Sequence, residues 1–180
     1  IGDLRQGTVR RLTLGSSEDG WPIWTPDSRS IVFDSNRDGA LNMYSQPADG
    51  SGPAVRLTTG SQGQFPNSMT RDGRHILAAE YSVSTLLDVV MFEAAASPPA
   101  AGQAPGEPAM PFVLARPLVK TRAAEYNAIA SPDGRLFAYQ CNESGRTEGY
   151  VKPLSGAFDV RWQVSTSGGS APVWAPKSRE

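Results

Sequence analysis

Short runs of β-forming residues, separated by turn sequences, dominate the chain. Residues such as Ile31, Val32 and Phe33 favour extended backbone, and only the stretch 86–96 approaches the 3.6-residue period of a helix. The pattern therefore predicts an all-β protein with little helix. In the clearest unit the predicted strands cover residues 21–25, 30–35, 41–46 and 55–58.

The turns between these runs contain residues that suit particular backbone angles. Ser131-Pro132-Asp133-Gly134 fits a type I turn, because proline fixes φ at the second position and glycine suits the fourth. Asn36-Arg37-Asp38-Gly39 and its counterpart at 142–145 fit hairpin connections in which the glycine can take a positive φ. The turn residues thus support the predicted strand limits.

This unit recurs along the chain. The turn residues Asp27, Asp72 and Asp133, with Lys177 in the fourth equivalent place, are 45, 61 and 44 residues apart. The middle spacing contains a Pro/Gly/Ala-rich insertion at 97–111, and removing its 15 residues leaves a spacing of 46. The sequence therefore has a period close to 45 residues.

A second motif repeats in phase with the first, as Arg11-Leu12-Thr13 and Arg56-Leu57-Thr58. Four short strands in about 45 residues make one propeller blade, so we expect a β-propeller or a propeller fragment. It would have three complete four-stranded blades and partial blades at both ends; the alternative is a β-sandwich with accidental similarity. The predicted division is 1–14 (outer strand or strands of a partial blade), 21–59 (blade), 65–116 (blade with the insertion 97–111), 126–166 (blade) and 171–180 (start of a further blade).

The two ends carry incomplete units. They either share strands to close a ring of four blades or leave an open fragment, and we favour the fragment because the chain stops inside a turn of the repeat. The first residue is Ile1 and not Met, which is typical of a piece of a longer protein. Open blade edges predict some self-association.

Charge and composition exclude several functions. Because 17 Lys and Arg balance 18 Asp and Glu, no basic surplus is present to bind nucleic acid. The most apolar stretch, 86–96, contains Asp88 and Glu93 and is too short to span about 30 Å of hydrocarbon, so we expect no membrane insertion. The single cysteine, Cys141, excludes an internal disulfide and metal sites built on several thiolates.

Candidates for catalysis are few. His75 begins a predicted strand without an identifiable partner, and Cys141 is expected to be a packed thiol with no base beside it. No Gly-x-Ser-x-Gly elbow and no phosphate-binding loop occurs in the sequence. The string 34–39 matches the first half of a calcium loop, but Ser45 stands where the bidentate glutamate belongs, so a plain hairpin is the better interpretation. We expect no catalytic residue, no metal and no cofactor.

In a propeller, the loops that join the second strand to the third and one blade to the next lie on one face. Here that face is polar and of mixed charge, with Trp21 and Phe65 as candidate aromatic anchors, which suits recognition of a protein or peptide. The alternative is a solvated rim with both rings packed between blades, where we also expect Trp24 and Trp174. The candidate partner-binding residues are Glu18, Asp19, Trp21, Asn36, Arg37, Asp38, Phe65, Arg122, Glu125, Asn142, Glu143 and Arg146.

The insertion at 97–111 leaves the opposite face and is expected to be a flexible loop. Pro105 and Pro108 give one Pro-x-x-Pro match, but no basic residue lies beside it. A proline-motif ligand is therefore the weaker interpretation of this segment.

The string from Trp24 to Gly39, with Pro26-Asp27, Arg29 and Ser35-Asn36-Arg37-Asp38 at fixed places, resembles the repeat of TolB-type, WD40-like β-propellers. It is most similar to propellers attached to bacterial Ser/Thr protein kinases and winged-helix regulators. The second unit departs from that pattern, since Met69 and Arg71 replace the aromatic residue and the proline and the Asn-x-x-Gly turn is missing. In the third unit Ala130 replaces the aromatic residue.

The resemblance implies a non-catalytic module that senses or scaffolds protein partners within a larger bacterial protein. Two alternatives stay open: a substrate-gating propeller of a peptidase similar to prolyl oligopeptidase, and a TolB-like component of the cell envelope. The residues leave the compartment undetermined, and only the resemblance favours a periplasmic or extracytoplasmic location. Fold analogy by itself does not choose among these functions.

Overall fold

The computed structural model describes residues 1–95, 112–156 and 160–175, and every regular element among them is a β-strand. No helix in these ranges is long and apolar enough to cross a membrane. The strands are β1 (Gly2–Asp3), β2 (Thr8–Val9), β3 (Asp19–Trp24), β4 (Ser30–Ser35), β5 (Asn42–Pro47), β6 (Val55–Arg56), β7 (Gln64–Met69), β8 (His75–Ser82), β9 (Leu86–Ala94), β10 (Phe112–Val119), β11 (Glu125–Ala130), β12 (Leu136–Cys141), β13 (Glu148–Pro153) and β14 (Trp162–Gln163).

Twelve of these strands form three four-stranded antiparallel sheets, each with its strands in chain order. Sheet 1 contains β3 to β6, sheet 2 contains β7 to β10, and sheet 3 contains β11 to β14, while β1 and β2 form a separate hairpin. The predicted all-β fold class is confirmed. In sheet 1 the first strand begins at Asp19, earlier than predicted, because Asp19 already pairs with Ser35 of the second strand.

The first turn of each sheet is held by the aspartate that marks the repeat. In sheet 1 the carboxylate of Asp27 accepts hydrogen bonds from the Thr25 hydroxyl at 2.7 Å and from the Arg29 amide at 3.1 Å. The bond from Thr25, followed by the bond from Arg29, lowers the pKa of Asp27. The same arrangement occurs at Thr70, Asp72 and Arg74 in sheet 2, and at Ser131, Asp133 and Arg135 in sheet 3.

Apolar residues on successive sheets pack face to face, because the two faces of each strand serve different neighbours. Between sheets 1 and 2 lies a cluster that includes Val32, Met43, Ile76, Val90 and Phe92. Between sheets 2 and 3 lies a second cluster, which includes Leu77, Val89, Met91, Phe137 and Tyr139. The core is therefore a series of interfaces between stacked sheets.

An arginine fastens one unit to the periphery of the next in two places. Arg10 donates hydrogen bonds to the carbonyl oxygens of Ala48, at 2.6 Å, and Asp49. Arg116 donates to the carbonyl oxygen of Leu154 at 2.5 Å, and the Arg10–Ala48 and Arg116–Leu154 bonds both span 38 residues. The segment before β3 therefore packs against sheet 1 in the same way that β10 packs against sheet 3.

Side chains of β7 join sheet 2 to the first strand of sheet 3. The Asn67 Oδ1 atom accepts a hydrogen bond from the Ala128 amide at 3.1 Å, and the Ser68 hydroxyl donates to the Ala128 carbonyl at 2.9 Å. The same Ser68 oxygen accepts a bond from the Ala130 amide at 3.1 Å. These bonds satisfy backbone groups of β11 at the bulge where its pairing with β12 is interrupted.

We expect Asn67→Ala to lower the free energy of unfolding by about 2 kcal/mol, because it leaves the buried Ala128 amide without an acceptor. Urea denaturation measures the change. Asn142→Ala is the matched control, since Asn142 Oδ1 accepts the Ala124 amide at 2.9 Å in an exposed place where water can replace it. Equal losses for the two variants would contradict the proposed inter-sheet role of Asn67.

Candidate binding face

The loop before the first strand and the loop between the second and third strands meet in sheets 1 and 3. The Asn36 Oδ1 atom accepts a hydrogen bond from the Glu18 amide at 2.9 Å. The Asn142 Oδ1 atom accepts one from the Ala124 amide, also at 2.9 Å and also across 18 residues. These asparagines hold the loops together, and we call the surface that the loops form the loop face.

On sheet 1 the charged residues of the loop face are tied to one another. Arg37 Nη2 lies 3.1 Å from Asp19 Oδ1, and its guanidinium group covers the rings of Phe33 and Tyr44 at 5.3 and 4.8 Å. The Tyr44 hydroxyl donates to Asp38 at 2.6 Å. Burial would raise the pKa of Asp19, but hydrogen bonds from Ser35 and its other neighbours hold it below the usual value. Asp19, Arg37 and Asp38 therefore form a rigid support.

Sheet 3 builds a similar arrangement from different positions. The Arg161 guanidinium lies 5.0 Å from the Tyr150 ring centre and pairs with Glu143. Arg146 Nε donates to the buried carboxylate of Glu148 at 2.7 Å. In sheet 1 the stacking arginine comes from the loop after the second strand, whereas in sheet 3 it comes from the segment before β14. The remaining predicted cation, Arg122, is exposed on the same side of the sheet.

Glu125 lies beneath the loop face and not on it. Its side chain is fully buried, accepts a hydrogen bond from Thr121, and has Oε1 3.7 Å from the Cys141 sulfur. Burial raises the pKa of Glu125 and raises the pKa of Cys141 to about 11. The expectation that Cys141 has no basic group beside it is therefore wrong, but burial keeps this thiol protonated at neutral pH. Glu125 supports the face from below.

Trp21 and Phe65 form an aromatic pair at the inner edge of the loop face. Their ring centres are 6.3 Å apart, the rings are inclined at 60°, and Trp21 is 49% exposed. Trp21 lies at the bulge of β3 with φ of 45°, which breaks the alternation of the strand. The Trp21 ring is therefore available to a partner, whereas the Phe65 ring is only partly exposed.

Trp24 and Trp174 differ in their environment. Trp24 is 52% exposed, so the prediction that it packs between sheets is wrong; its neighbour Ile23 takes the packed position. Trp174 is half-buried, and its Nε1 donates to the Ile129 carbonyl at 2.9 Å. Trp174 thus lies against sheet 3.

Comparison with known proteins shows which fold this architecture is similar to. TolB from Acinetobacter baumannii matches 98% of the chain at a TM-score of 0.72 and 22% sequence identity. A protein described as TolB from Agrobacterium tumefaciens matches 83% of it at a TM-score of 0.63 and 14% identity. The chain has a TolB-like β-propeller fold. Sheets 1, 2 and 3 are accordingly its blades 1, 2 and 3.

The propeller is a shared fold and is found in proteins of different activity. The tricorn protease matches 85% of the chain at a TM-score of 0.51 and 9% identity, which shows the fold alone. An uncharacterised protein of Agrobacterium fabrum is 29% identical over 79 residues, which are 44% of this chain and 27% of that protein. No protein-family profile matches. The chain spans 40% and 47% of the two TolB structures, so it corresponds to less than half of each.

Blade 2 adds exposed residues to the loop face that the sequence analysis did not find. Its strands β8 and β9 extend to Ser82 and Leu86, beyond the ends of their counterparts in blades 1 and 3. The resulting hairpin exposes Tyr81 by 44%, Val83 by 84% and Leu86 by 56%. The missing Asn-x-x-Gly turn of the second unit was the signal that this loop differs from the others.

The opposite side of the propeller holds a groove of about 520 Å³ between the first turns of blades 2 and 3. His75 lines it together with Arg71 and Asp133, and His75 Nε2 lies 3.8 Å from Glu93 Oε1. His75 therefore lies at the end of its blade that is opposite the loop face. The insertion 97–111, with Pro105 and Pro108, lies outside the described residues.

The acidic side chains of the calcium-like string 34–39 do not surround a common point. Asp34 is buried and pairs in register with Met43 of the cluster between blades 1 and 2, whereas Asp38 accepts the Tyr44 hydroxyl. Burial raises the pKa of Asp34 to about 6. Among the residues described here, no group of three acidic, histidine or cysteine side chains is placed to hold a metal ion.

Proposed function

We propose that this propeller is a non-catalytic module that binds a protein or peptide partner on its loop face. The Trp21 ring, which is 49% exposed and lies against the partly exposed ring of Phe65, supports this proposal most directly. Exposed aromatic rings surrounded by polar groups are typical of the residues that contribute most to protein interfaces. The module would sense or scaffold partners for a larger bacterial protein.

The support of the face also favours binding. Arg37 is fixed by an ion pair with Asp19 and by two aromatic rings, and Asn36 fixes the neighbouring loop. A surface that is already rigid loses little conformational entropy when a partner binds. Cys141 and His75 are the side chains best suited to nucleophilic chemistry. The Cys141 thiol is buried beneath the loop face, and His75 lies near the opposite side of the propeller.

An array of immobilised short peptides of varied sequence tests this function. We expect the protein to bind a subset of peptides, and Trp21→Ala to reduce that binding by about tenfold or more. Trp162→Ala is the matched control, because Trp162 is 50% exposed but lies on the outermost strand of blade 3. Absence of any peptide binding, or equal loss in the two variants, would count against the proposed function.

A further inference from the structure

We propose that the groove between the first turns of blades 2 and 3 binds a small organic molecule that carries one carboxylate and an apolar body. The groove lies on the side of the propeller opposite the loop face and has a volume of about 520 Å³. Small-molecule sites in proteins commonly have volumes of about 300–1,000 Å³. This inference goes beyond the proposed function and does not depend on it. We refer to the site as the turn groove.

One face of blade 2 supplies a wall of the turn groove. Met91 pairs with Leu77 on one side and with Arg116 on the other, so these three side chains lie on the same face of the sheet. His75 precedes Leu77 by two positions on β8 and therefore shares that face. The face packs against blade 3, because Leu77 and Met91 belong to the cluster that also contains Leu154. Strand register thus directs His75, Met91 and Arg116 toward blade 3, and all three line the groove.

The turn groove has an apolar floor and a basic outer end. Met91 and Leu154 both line it, and both are buried. Arg116, on the outer strand of blade 2, reaches across to the Leu154 carbonyl at 2.5 Å, so its guanidinium group lies at the outer end of the groove. Burial lowers the pKa of Arg116. A cation that has lost part of its hydration gains more from an incoming carboxylate than a fully hydrated one does.

The charges that line the turn groove favour an anion. Within residues 1–95, 112–156 and 160–175, the side chain of Arg71 makes no ion pair. His75 Nε2 lies 3.8 Å from Glu93, which is too far for a hydrogen bond. Asp72 and Asp133 also line the groove, but each is held by hydrogen bonds within its own turn. The basic groups are therefore more available to a ligand than the carboxylates are.

A carboxylate fits the turn groove better than a phosphate. In each turn the hydrogen bond from the hydroxyl two residues earlier contributes most to lowering the pKa of the aspartate, so Asp72 and Asp133 stay negatively charged at neutral pH. They repel a carboxylate, with one charge, less than a phosphate, with nearly two. A guanidinium group also binds both oxygens of a carboxylate at once.

Two of the basic residues are departures from the repeat. Arg71 stands where both other blades have a proline, and His75 stands where they have a serine and a leucine. The turn forms in all three blades with the same hydrogen bonds, so it does not need the arginine. Arg116 has a structural role that Arg10 repeats, whereas Arg71 and His75 add only basic character to the groove.

Isothermal titration calorimetry with hydrocinnamate as the probe tests the inference. We expect a dissociation constant of about 1 mM or lower. Phenylpropylamine has the same apolar body and the opposite charge, and it should bind about tenfold more weakly or worse. Acetate and inorganic phosphate, which lack the apolar body, should also bind about tenfold more weakly or worse.

Variants of two neighbouring arginines locate the site. Arg71→Pro and Arg71→Gln should each weaken the binding of hydrocinnamate about tenfold. The proline variant places the residue of the other two blades in this turn, so we expect it to fold. Arg74→Gln is the matched control, because Arg74 is an exposed arginine of the same turn that does not line the groove. This variant should bind hydrocinnamate like the wild type.

Several results would overturn the inference. They are absence of hydrocinnamate binding at millimolar concentrations, and equal losses in the Arg71 and Arg74 variants. Equal affinity for phenylpropylamine would refute the charge preference, and equal affinity for acetate or phosphate would refute the apolar body. Tighter binding of a peptide that ends in phenylalanine would refute a small-molecule ligand. Trp21→Ala should leave hydrocinnamate binding unchanged, and a loss would refute the turn groove as its site; failure of peptide binding at the loop face would leave the inference standing.

Discussion

Phe92→Ala should lower the free energy of unfolding by about 4 kcal/mol. Phe92 is 2% exposed and lies on β9 in the apolar cluster that joins blades 1 and 2. Truncation removes the buried ring and leaves a cavity that the two antiparallel sheets cannot close, because their strands are fixed in register on both sides. Urea denaturation followed by tryptophan fluorescence measures the loss.

Two variants make this result specific. Phe92→Leu keeps most of the volume and should cost less than half as much. Leu114→Ala, on the neighbouring β10 but 50% exposed, should change stability by less than about 1 kcal/mol. A small effect of Phe92→Ala would mean that the blades are held together mainly by hydrogen bonds and not by packing.

Asp34→Asn should stabilise the protein by about 2 kcal/mol at pH 7.5. Burial raises the pKa of Asp34 from 3.8 to about 6, with the nearby charge of Asp19 acting in the same direction. Between these pH values the folded protein holds a proton that the unfolded chain has released. The contribution of Asp34 to stability is therefore greatest below pH 4, is lost as the pH rises to about 6, and stays lost above it. Asparagine is uncharged at all of these pH values.

Urea denaturation from pH 4 to pH 8 tests this, because Asp34→Asn should flatten the loss of stability across the range. Asp72→Asn is the control with the opposite sign. Hydrogen bonds, of which the one from the Thr70 side chain contributes most, lower the pKa of Asp72, so removing this carboxylate should reduce stability at neutral pH. An unchanged pH profile in the Asp34 variant would falsify the assignment of this pH dependence to Asp34.

The strands and turns could be predicted because local chemistry determines them. Asp27 and its equivalents in the other blades form their turns with residues two positions away, so each short motif contains all the partners that it needs. The repeat of this motif then indicated stacked sheets of equal size. The resemblance to TolB-like propellers was confirmed by structures that share little sequence identity with the chain.

The candidate site was less predictable, because burial depends on residues from other blades. Glu125 occupies the place in blade 3 that Asp19 has in blade 1, yet Asp19 pairs with Arg37 near the surface and Glu125 is enclosed next to Cys141. The exposure of Tyr81 and Val83 follows from the extra length of β8, and no local turn motif predicts that length. An equivalent place in the repeat predicts where a residue lies in its blade, but it does not predict which residues surround it.

The paired use of Arg10 and Arg116 bears on how such a protein can change its size. Each arginine reaches a backbone carbonyl of the following unit, and a main-chain acceptor is present whatever side chain that unit carries. A duplicated copy of a repeat that carries such an arginine would bring the donor of this joint with it, and the acceptor is main chain in any repeat; blade 1 has Val55 in that place. Growth or shrinkage of the propeller by copies that carry the arginine thus needs no new fastening, and the joint tolerates divergence of nearly every residue around it.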